Sequence, residues 1–211
     1  MNRIIVFALM FFCMTMQIEA QTLSEEEVTA KMYQAFELNK AAKKAEALEL
    51  FLIVGENTKQ QRNEGERQVY VCSQTMACQC YELLGRYKEG YLLGKSLLQG
   101  KLNDTERKDV GHLYAMNGYM YACEFIQRDE KGRADYKRGR ELISEILPYS
   151  DGQVKEYAET KIPLSWYFEG AQYAMTQSYD EALSSYEEAL NGFRDLGSCL
   201  LYTSDAADER S

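Results

Sequence analysis

The chain has 211 residues, 33 acidic against 24 basic side chains, and a formal net charge of −9. A body of this size holds one globular domain or a short solenoid with its own core. An acidic chain without Lys/Arg-rich runs lacks the basic face that binding to nucleic acid or to an anionic membrane surface requires.

Residues 1–20 read as a secretory signal, with Arg3 as the charged start, Ile4 to Cys13 as a short apolar run and Ala20 before Gln21 as the cleavage point. The run is about half of the ~20 residues that a membrane-spanning helix needs. The mature product is therefore expected outside the cytoplasm, exported and periplasmic. Only two prolines, Pro148 and Pro163, interrupt the body, which is otherwise rich in Ala, Leu, Glu, Lys, Tyr and Met; that composition predicts an all-α fold. Helix starts are marked by capping patterns at Ser24–Glu27, Ser150–Gln153 and Ser178–Glu181, and by Asp104-Thr-Glu. A charged loop with Gly132 is expected over 128–133, and Pro163 should kink or restart the last long helix.

Between Pro163 and Leu196 the chain carries Trp166, Gly170 and Tyr173, then Ala182, Tyr186 and Ala189. This aromatic–small–aromatic triplet followed by small–aromatic–small resembles the tetratricopeptide repeat, a helix–turn–helix unit whose small residues let two helices approach while rings fill the space around them. Glu169 and Arg194 depart from the template's Leu and Pro. Ala47, Gly90 and Gly139 match the Ala182 position upstream at spacings of 43, 49 and 43 residues, while Ala35, Cys78 and Gly118 take the small position of the first helices. The resemblance implies a right-handed α-solenoid of about four elongated hairpins over residues 21–198. The surplus length falls about two turns ahead of the template in each first helix. Tyr173 and Tyr186 are expected in the core.

In this family the concave groove is lined by set positions of each first helix. Transferred here, the resemblance implies a binding surface of Phe36, Thr75, Gln79, Glu82, His112, Tyr119, Leu164, Tyr167 and Met175. The carboxylate clamp that grips peptide C-termini is missing, since Met32 and Phe36 hold its places. The implied function is an exported, non-enzymatic module that binds a protein or peptide. The alternative is the periplasmic sensor region of a truncated membrane signalling protein, a histidine kinase or transcription regulator, tethered to the membrane through a downstream segment.

No cofactor, metal or catalytic residue is expected. Gly90–Ser96 ends like a phosphate loop but is one residue short and lies in a predicted helix without a preceding strand, and Lys95 is expected to be solvated. His112 is the only histidine, which excludes a two-histidine metal signature. Of the body cysteines, Cys72, Cys78, Cys80 and Cys123, the pair Cys80 and Cys123 could bridge adjacent first helices, although the more natural role of all four is as small buried side chains. Residues 199–211 resemble a translated sequencing adapter from Cys199 to Glu209 and are expected to form a disordered, artefactual tail, with the natural protein running on past Ser198.

Overall fold

The computed structural model describes residues 23–127, 132 and 134–208, with side chains described up to residue 197. The expected signal at 1–20 and most of the 128–133 loop lie outside the described residues. Those described form eight α-helices and a 3-10 turn, without a strand among them. The helices are α1 (Glu25–Lys40), α2 (Lys44–Thr58), α3 (Glu64–Leu83), α4 (Tyr87–Leu98), α5 (Asp104–Ile126), α6 (Tyr136–Ile146), α7 (Gly152–Met175) and α8 (Tyr179–Asp208), with the turn at Leu147–Tyr149 between α6 and α7.

Capping fixes the starts of several helices. At α1, Ser24 accepts from the Glu27 amide while Glu27 accepts from the Ser24 amide at 2.8 Å. Asn103 and Glu106 form the same reciprocal pair at α5, so the cap stands one residue before the expected Asp104 start. At α7 the cap residue is Asp151, with no side-chain capping bond, and the Ser150 hydroxyl instead donates back to the Ile146 carbonyl at 3.0 Å. Pro163 does not restart this helix, because α7 runs through it unbroken. The α8 backbone stays helical to Asp208, beyond the expected boundary at Ser198. No proline follows Pro163 to stop it.

The helices pack as neighbouring antiparallel pairs. Three of the pairs turn by one backbone motif. The amides of Lys43, Arg86 and Ser178 donate to the carbonyls of Leu38, Tyr81 and Tyr173, and the residue before each donor is left-handed: Ala42 at φ 61°, Gly85 at 70° and Gln177 at 61°. Within the pairs, small residues set the approach. A Cβ on Gly139 would stand 2.5 Å from Ile126, and one on Gly170 would stand 2.9 Å from the Tyr186 ring. One core forms where α1, α2 and α3 meet around Phe51 and Leu48; a second joins α4, α5, α6 and the start of α7 around Leu142, Ile143 and Ile146. Cys78, Leu97 and Val110 link them through α3, α4 and α5.

Two sequence expectations about burial change here. Tyr186 is only half-buried and Tyr173 is 36% exposed, so neither ring is enclosed core. The two helices approach through Gly170, Ala182 and Ala189, and the Tyr186 ring lies over Gly170 with one side open to solvent.

Candidate functional site

The first helices of the second, third and fourth pairs are α3, α5 and α7, and α5 packs against both of the others. On α5, Met116, Tyr119 and Met120 recur at helical spacing; on α7, Gln153, Val154 and Tyr157 do the same, and these six enclose a cleft of about 260 Å³. The Tyr119 and Tyr157 rings stand nearly parallel across it, 27° apart in plane and 6.3 Å between centroids. Burial, followed by its contacts with Cys123, raises the Tyr119 phenol well above its ordinary range, so that ring is neutral at every physiological pH.

A polar strip borders the cleft. His112 Nδ1 lies 2.9 Å from Asp151 Oδ1, joining α5 to the residue that opens α7. On α3, burial raises the Glu82 carboxyl above its ordinary value while the His112 charge partly offsets this. Of the expected site residues, His112 and Tyr119 are thus each brought against the start of α7. Thr75 and Gln79 are half-buried on α3, and the Thr75 hydroxyl donates to the Val71 carbonyl at 2.7 Å.

The remaining expected site residues lie elsewhere. Phe36 is committed to packing, edge-on to Phe51 at 5.4 Å. Tyr167 leans against Phe168 and Tyr186, each at 5.7 Å between centroids, and so points toward α8. Leu164 is half-buried and Met175 is 75% exposed near the end of α7. Sequence reasoning missed Tyr157 because it lies in the two-turn extension ahead of Pro163, which the 34-residue template does not cover. The usable signal was the helical start near Ser150, which puts Gln153 and Tyr157 on one stripe.

No protein-family model, curated protein or solved structure matches this chain. Its chemistry is therefore read from the side chains alone. The Gly90–Ser96 segment is helical within α4, so its amides are spent on helix bonds. A Cβ on Gly90 would meet Asn117 Oδ1 at 2.2 Å, and that Asn is pinned by donating to the Cys78 and Leu113 carbonyls. Lys95 is not simply solvated. It pairs with Glu145 at 2.7 Å, and the same carboxylate accepts from Tyr114 at 2.6 Å and from Tyr91 at 3.0 Å.

Cys72, Cys78, Cys80 and Cys123 are free thiols. The bridge between Cys80 and Cys123 is not formed: Cys80 faces Asn39 of α1, at 3.9 Å, while Cys123 neighbours Tyr119. Cys72 is exposed and not a packing residue. Burial pushes the Cys78 thiol up to about 12, which leaves it protonated and inert. Among the described residues no three His, Cys, Asp or Glu side chains converge as a metal site, and no helix is long and apolar enough to cross a membrane.

Proposed function

We propose that this chain is an exported, non-enzymatic binding module of the tetratricopeptide type, an α-solenoid that holds an extended peptide segment against the face of α3, α5 and α7. The observation that carries the reading is the cleft between α5 and α7, where Tyr119 and Tyr157 offer two near-parallel rings with the His112–Asp151 pair linking the same two helices. Tyrosine supplies contact area at low entropic cost and is over-represented among residues that dominate binding energy. The repeated left-handed turn at Ala42, Gly85 and Gln177 supports the repeat architecture. A cleft of about 260 Å³ suits one apolar side chain of a peptide better than a whole cofactor.

The test is selection from a display library of random unstructured peptides. Enriched sequences should share a bulky apolar residue and should bind Tyr119→Ala and Tyr157→Ala variants at least ~5-fold more weakly, equivalent to about 1 kcal/mol. No enrichment, or equal binding to both variants, would reject the proposal.

A further inference from the structure

A second cleft, of about 860 Å³, opens on the other side of α7, between α6 and α8. Trp166 in its wall is nine residues from Tyr157, which at ~100° per residue places the two about 180° apart around the helix. The two clefts are therefore independent. The wall of this one already receives a guanidinium: the Arg140 Cζ lies 3.4 Å from the Trp166 ring centroid, and its Nη2 donates to Glu169 at 2.7 Å. Nearer the mouth, Tyr173 and Glu181 present the same two groups, an exposed ring and a carboxylate. Among the described residues no side chain pairs with Glu181.

Ser185 also lines the cleft, so its wall carries a hydroxyl beside the ring and the carboxylate. Charge selects the ligand. Arg140 is already neutralised by Glu169, and Lys137 is outnumbered by Glu141 and Glu181, so an anionic ligand would meet like charge. The whole chain is −9, which also draws cationic partners.

We propose that the α6–α7–α8 cleft is a binding site for an arginine- or lysine-bearing peptide segment of a partner protein, with the cationic head on Glu181, the stem over Tyr173 and a hydrogen bond to Ser185.

Trp166 is the only tryptophan in the chain, so its fluorescence reports on this cleft directly. The full chain would be titrated with an acetylated, amidated hexapeptide alternating arginine and leucine, and with its glutamate–leucine counterpart. Saturable change in Trp166 emission is expected with the basic peptide alone. Glu181→Lys and Tyr173→Ala should each weaken it about tenfold, in the range for losing one charge–aromatic or charge-pair contact. Tyr157→Ala, on the opposite face, should leave it unchanged, which separates this site from the first cleft. Both substituted side chains are exposed, and far-UV circular dichroism would check that the variants fold. Equal affinity in Glu181→Lys would show only general attraction to an acidic chain and would overturn the proposal. So would an equal response to the acidic peptide, or to free spermine.

Discussion

The first three helix pairs and the fourth are assembled differently. From α1 to α6 the interior is large and mixed, with Phe51, Leu142, Ile143 and Ile146 sealed from solvent and Asn117 buried among them. In the α7–α8 pair the contact is long and close and made through small residues, Gly170, Ala182, Ala189 and Gly192, while Leu183, Leu190 and Phe193 stay 40–60% exposed. The seam from α6 to α7 is thin beside those from α2 to α3 and α4 to α5. A strong packing motif therefore marks where two backbones approach. It does not mark where most apolar surface is removed from water.

The largest expected effect tests this contrast by truncation. Phe51→Ala should destabilise the protein by about 3–5 kcal/mol, the range for emptying a buried aromatic site. Leu190→Ala should stay within about 0.5 kcal/mol, as for an ordinary surface change. Chemical denaturation measures both, and comparable losses would mean that the α8 face is covered in solution.

Overpacking probes the close approaches next. Gly90→Leu and Gly170→Leu should each cost about 1–3 kcal/mol. Gly90→Leu should cost more, because Asn117 is held by two hydrogen bonds, whereas the Tyr186 ring beside Gly170 is half-exposed and can swing away. The reverse order would contradict the contrast between the two regions.

Acid should act on the first region. Burial disfavours the Glu145 charge, but the donors Lys95, Tyr114 and Tyr91 outweigh it and hold the carboxyl below its ordinary value of 4.5. The stabilisation is thus present above pH 4.5 and is lost as pH falls through the lower folded value. Glu145→Gln should flatten that acid limb with a change of under about 1 kcal/mol, since the side chain is partly exposed to solvent. Melting temperature followed from pH 6 to pH 3 would show it.

The smallest effects come from the shared turn. Ala42→Gly and Gln177→Gly should each raise stability by up to about 1 kcal/mol, because a side chain in the left-handed region is strained. If the molecule unfolds as one unit the two gains should be alike. A gain from Ala42→Gly alone in the global transition would show that the fourth pair unfolds separately.

Much of the helical layout was legible because its signals are local: the Ser24 capping box, the helix start near Asp104, and the small residues Gly170 and Ala182. Tyr173 was misplaced because the template fixes its spacing but not its neighbours, and α6 stands back from it across a cleft. Tyr157 fell outside the template altogether. The Glu145 and Arg140 clusters join residues from different helix pairs, such as Tyr91 with Glu145 and Arg140 with Glu169, so no local pattern could announce them. Phe36 had the right helical position for a groove but turned inward onto Phe51.

The face of α3, α5 and α7 is tested most directly by hydrogen–deuterium exchange, with and without a library-selected peptide. Slowed exchange is predicted around Met116–Met120 in α5 and Gln153–Tyr157 in α7, and it should disappear in Tyr157→Ala. Protection confined to α6 and α8, or none at saturating peptide, would contradict the assignment of the binding face.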